Sequence, residues 1–97
     1  MTRLASILAG SQHDENKKLT VWIKGHPIPG YDPSEWRRDD FDSAMRYSDY
    51  GNRNSDYGWE LDHFPVPASM GGLDEISNLR PLNWKNNARH GGFLGNR

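Results

Sequence analysis

Cysteine is absent from this 97-residue chain. That excludes disulfides and thiolate zinc sites; it also fits a reducing compartment, so a cytoplasmic chain is expected. Long apolar runs are missing as well. No stretch is long enough to span a bilayer, and no membrane partner is expected. Met1–Gly10 carries one positive charge and a short apolar run, but Ser6 interrupts it and Gln12-His13-Asp14-Glu15 follow at once. It is therefore not read as a secretory leader. Apolar residues make up only 34% of the chain, against roughly 45–50% (glycine included) in soluble domains. The core of a single domain this small is thin. A global basic field is lacking too, since the net charge is −1; composition alone announces no nucleic-acid partner.

What is present is local. Trp22, Trp36, Trp59 and Trp84 each carry a large apolar surface and are expected to supply most of the core. Acids outnumber bases from Asp32 to Asp62, whereas the stretch from Arg80 to Arg97 holds Arg80, Lys85, Arg89 and Arg97 with no acid. Residues 1–19 read as a flexible N-terminal arm or a short helix, and residues 20–97 as one domain. Thr20-Val21-Trp22-Ile23 is β-rich and reads as a strand. His26 to Pro33 is turn chemistry, Pro33 to Trp36 a short helical turn, and Ser43 to Tyr47 a second strand. Ser48-Asp49-Tyr50-Gly51 recurs as Ser55-Asp56-Tyr57-Gly58, which two Asp/Gly turns with packed tyrosines explain. Trp59 to Phe64 reads as a strand ended by Pro65 and Pro67. A loop centred on Gly71-Gly72 follows, then a short strand at Leu79 to Leu82. Asn83 to His90 reads as a helix with Asn83 as N-cap, stopped by Gly91-Gly92.

Asp62-His63 places a carboxylate and an imidazole on opposite faces of one strand, where they can serve two tasks around one phosphate. Fourteen residues separate His63 from Asn78, and eight separate Asn78 from Asn87 on the expected helix. The ordered set Trp59-Glu60-Leu61-Asp62-His63, Pro65, Pro67, Gly71-Gly72, Asn78-Leu79-Arg80-Pro81-Leu82 and Asn86-Asn87 resembles the HNH endonuclease family, in its H-N-N variant. The resemblance covers about residues 58–92. Upstream, Val21 to Gly25, Trp36 to Asp39 and Tyr50-Gly51 resemble small stand-alone members, in which a Gly often stands at the position of Asp42.

The resemblance implies an α+β chain, a small ββα-metal (HNH) fold with an N-terminal β-rich extension. It implies a nuclease that nicks DNA, with nucleic acid as partner. Asp62 and Asn87 would bind the metal, and two protein oxygens suit Mg²⁺ or Mn²⁺. His63 would be the general base. Asn78 would be the structural asparagine whose amide ties the intervening loop. Arg80, Lys85 and Arg89 are candidate phosphate contacts, and His90 a candidate auxiliary ligand or phosphate contact. Many relatives have paired Cys-x-x-Cys motifs; here Asn83 and Asn86 occupy the last pair. No structural zinc is therefore expected, and the tryptophans are expected to hold the hairpin. The alternative is a non-catalytic nucleic-acid-binding module on the same scaffold.

Overall fold

Helix α1, residues 14–22, opens the described part of the chain, which in this computed structural model runs from residue 14 to residue 90. The Leu4 to Leu8 patch, the Gly91-Gly92 stop and Arg97 lie outside it. Glu15, Lys17, Lys18 and Leu19 are good helix formers, and Lys18 pairs with Glu15 at 3.0 Å one turn apart. This corrects the strand expected at Thr20 to Ile23, and the expected boundary at residue 19 falls inside the helix. Four β-branched or aromatic residues in a row suggested a strand, but their burial runs exposed, buried, buried, exposed. A half-buried strand alternates; two adjacent inward residues fit a helix face, here Val21 and Trp22.

Three short antiparallel strands follow: β1 (His26–Pro27), β2 (Trp36–Arg38) and β3 (Ala44–Arg46). The extension ahead of the second sheet is thus a helix and a sheet, not β-rich throughout. A turn at residues 33–35 precedes β2, as expected. Asp42, in the β2–β3 connection, has φ 68°, left-handed backbone in which Asp is among the few tolerated non-glycine residues. The first Ser-Asp-Tyr-Gly segment runs from a short 3₁₀ helix (Tyr47–Asp49) through a bridge at Tyr50, and the second forms a turn; Tyr50 packs on Trp59 at 4.8 Å and Tyr57 on Trp36 at 5.1 Å.

The second sheet pairs β4 (Trp59–His63) with β5 (Leu79–Asn83), antiparallel, with Trp59 opposite Asn83, Asp62 opposite Arg80 and His63 opposite Leu79. Helix α2 (Trp84–Arg89) continues directly from β5. Asn83 caps it as expected, its side chain accepting from Lys85 N at 2.9 Å. The chain is therefore α+β, with two small antiparallel sheets. Among the described residues no helix is long and apolar enough to cross a membrane.

The core joins α1 to both sheets. Trp22, Met45 and Trp59 form its centre, with Tyr47 and Leu61 against it; the Trp22 and Trp59 rings lie 4.9 Å apart. Their indole N–H groups donate to Pro33 O (3.0 Å) and Tyr47 O (3.1 Å). Trp36 and Trp84 are only half-buried, so two of the four tryptophans lie outside the core centre. The tryptophans also do not hold the β5–α2 junction alone. Buried Asp39 does much of it: Oδ1 accepts from Phe41 N and Ser43 N, both at 2.9 Å. Oδ2 accepts from Asn83 N at 3.0 Å and Asn86 Nδ2 at 2.8 Å. Asn83 and Asn86 are thus hydrogen-bonded to the first sheet's hairpin.

Candidate active site

Strand β4 sorts its side chains by alternation. Trp59 and Leu61 enter the core, while Glu60 and Asp62 share the opposite face and are both buried. Two buried carboxylates need partners, and each has an arginine. Arg53 grips Glu60 through two bonds of 2.7 and 2.8 Å. Arg80, directly across the ladder, donates to Asp62 Oδ2 at 2.7 Å.

Arg80 also bonds Asp40 Oδ2 at 3.2 Å. Its guanidinium lies 3.9 Å from the Phe64 ring centroid and 5.4 Å from that of Phe41. With a side chain 12% exposed, Arg80, one of the candidate phosphate contacts, is engaged by Asp62 and Asp40. Lys85 pairs with Asp56 at 2.7 Å and remains half-exposed. Arg89 is exposed at the last turn of α2. His90 stacks on Phe41 at 4.6 Å, so its ring faces an aromatic partner.

Helix α2 packs on both strands and carries Asn87 inward. Its Nδ2 donates to Glu60 Oε1 at 2.8 Å. Its Oδ1 is a buried side-chain oxygen with no hydrogen-bond partner among the described residues. The orientation follows from chemistry: a carboxylate only accepts, so the amide must turn its nitrogen to Glu60 and leave the oxygen bare. Asn87 thus meets Glu60, one strand repeat (about 6.6 Å) from Asp62. Burial alone would raise the Glu60 pKa; the hydrogen bonds from Arg53 and Asn87 and the arginine charge outweigh it and hold the value below the ordinary range.

His63 ends β4, half-buried, with Nε2 2.5 Å from Asp74 Oδ1. The hydrogen bond from His63 lowers the Asp74 pKa. Asp74 belongs to the loop between β4 and β5, whose shape Asn78 sets. Asn78 Oδ1 accepts from Val66 N at 2.9 Å, and Nδ2 donates to Val66 O and Leu73 O at 2.9 and 3.1 Å. Gly71 takes φ 85°, and a Cβ on Gly72 would lie 1.9 Å from Val66 O, so only glycine fits there.

The four central residues of the sequence pattern therefore occupy one strand, its loop and the following helix. Sequence reasoning missed Glu60, Arg53, Asp40 and Asp74. Glu60 was within reach, since it stands two residues before Asp62 on the same strand face. Among the described residues no group of three or more His, Cys, Asp or Glu is arranged to hold a metal. A site made from one carboxylate and one amide oxygen lies below that count, and the bare Asn87 Oδ1 suits a hard cation. Comparisons with protein-family models, curated proteins and solved structures find no match.

Proposed function

We propose that the chain is a metal-dependent endonuclease hydrolysing phosphodiester bonds of DNA, with β4, β5 and α2 as a ββα-metal core of the HNH kind. The observation that carries this reading is the buried, unpartnered Asn87 Oδ1, on the helix packed against the strand of Asp62 and His63. An orphaned buried acceptor is uncommon and asks for a ligand. Asp62 and Asn87 would hold Mg²⁺ or Mn²⁺, with Arg80 competing for the carboxylate. When bound, such a cation neutralises charge on the phosphoryl and leaving oxygens. His63 takes the proton of the attacking water, and Asn78 keeps the loop beside it in shape. Lys85 and Arg89 face solvent on α2, suited to backbone phosphates, which position a nucleic acid without reading its sequence.

The Arg80–Asp62 pair favours one alternative, the non-catalytic nucleic-acid-binding module, because it neutralises the carboxylate without any metal. Nicking of supercoiled plasmid by the full chain separates the two readings, with single-stranded DNA and RNA in parallel. Expected is nicking with Mg²⁺ or Mn²⁺ that chelator abolishes. His63→Ala should lower it by about 10²–10⁴-fold, the usual worth of a general base, with an unchanged melting curve. Retention of DNA by both proteins without cleavage under any metal would leave only the binding module.

A further inference from the structure

The pattern that suggested a nuclease has no place for Asp74, yet the fold spends much of the β4–β5 loop on positioning it. Leu73, before it, has its carbonyl bonded by Asn78 Nδ2 at 3.1 Å. Glu75, after it, has its carbonyl bonded by Asn78 N at 2.7 Å. Phe64, which follows His63, donates its backbone N–H to Asn78 O at 3.0 Å. One asparagine thus fixes the chain on both sides of Asp74 and the residue next to His63. The side chains so placed meet through Oδ1 and Nε2.

We propose that Asp74 is a positioning residue for His63, holding the ring through Nε2 and leaving Nδ1 as its lone-pair nitrogen, and that Asn78 acts on His63 through Asp74. A carboxylate only accepts, so the neutral ring must carry its hydrogen on the nitrogen facing Asp74. The ring can then neither flip nor change tautomer without losing that bond. The hydrogen bond from His63 is the main cause of the lowered Asp74 pKa, and Lys17 of α1, the other charged group acting on it, adds a smaller electrostatic pull in the same direction. Only the catalytic consequence rests on the nuclease reading; the ring orientation does not.

Asp74 is 75% exposed at its side chain, so replacing it should leave the fold standing. The test compares wild type, Asp74→Ala and the conservative Asp74→Glu as full chains at pH 8 without metal, reading the His63 ring nitrogens by two-dimensional ¹H–¹⁵N NMR. Expected is a single Nε2–H tautomer in wild type, a tautomer mixture in Asp74→Ala and return of the single form in Asp74→Glu. Plasmid nicking by the same proteins should show kcat down about 10–100-fold in Asp74→Ala, the range known for loss of a carboxylate that orients a metal-bound histidine, with KM little changed and partial rescue in Asp74→Glu. Ring signals indifferent to Asp74→Ala would overturn the proposal, as would a changed tautomer with unchanged kcat. Should the tautomer respond as expected while no protein cleaves any substrate, the orientation stands and the nuclease reading falls.

Discussion

Asn87 shows how one side chain is set by two others. Arg53 fixes Glu60 through a two-pronged pair, and Glu60 fixes which end of the Asn87 amide points away. Leaving that oxygen buried and bare costs on the order of 1–3 kcal/mol, which a bound cation would offset. Glu60→Ala frees the amide to turn, so Mn²⁺ affinity measured by calorimetry should fall by about 10–100-fold, as when other supporting partners of a metal ligand are lost. Unchanged affinity in a folded variant would show that Glu60 does not orient the ligand. At this scale the placement of Asp62, His63, Asn78 and Asn87 along one strand, loop and helix was readable from their spacing, whereas their partners were not: Asn87 meets Glu60 and Asp62 meets Arg80. Asp74 was not: its partner lies eleven residues away across an irregular loop, where no periodicity says which side chain returns to the strand. The pairing of Arg80 with Asp62 was not readable either, because its neighbour across the ladder depends on strand register.

Among the elements, α2 is short, and six residues are too few for a helix to persist on propensity alone. It persists through its junction with β5, where Asn83 caps the first turn and also donates to Ala44 O and Asp56 O at 3.0 and 2.9 Å. Asp39 then ties Asn83 and Asn86 to the β2–β3 hairpin. Asp39→Ala strands four donors that met its carboxylate, two of them in buried bonds. At about 1–3 kcal/mol for each buried group left unpaired, a loss of at least about 2 kcal/mol is expected. For a domain of this size that lowers Tm by roughly 8–16 °C, readable by circular dichroism, and a shift within about 2 °C would refute the staple. β4, β5 and α2 were legible from proline punctuation, the Asn83 cap and strand-forming runs. α1 was legible only in part: a short helix was one of the two readings of residues 1–19, but its continuation through Trp22 was missed because Thr20 to Ile23 was weighed as a window of propensities, whereas the joint burial of Val21 and Trp22 fits a helix face.

For the molecule as a whole, a thin core is supplemented by carboxylates tied to bases across elements: Asp40 to His26 and Arg80, Glu60 to Arg53, Asp74 to His63, Asp56 to Lys85. All four carboxylates have pKa values below the ordinary range. For Asp40 and Glu60 burial pushes upward but hydrogen bonds and opposite charge prevail; for Asp56 and Asp74 the partner's hydrogen bond is the leading cause. A depressed folded-state pKa favours the folded form above the unfolded value, about 3.9 for Asp and 4.3 for Glu, and the benefit is lost as pH falls through the lower folded value. These groups should therefore leave Tm level between pH 7 and 5 and pull it down below about pH 4. The exposed pairs contribute little and are screened by salt, whereas Glu60 is buried and its partner Arg53 is only about a quarter exposed. In 1 M NaCl, where the screening length is about 3 Å, most of the acid-induced fall should remain. Thermal melts across this pH range at low and high salt decide the matter. A Tm that rises on acidification would mean the paired carboxylates do not stabilise the fold, and a fall abolished by salt would assign it to the surface pairs in place of Glu60.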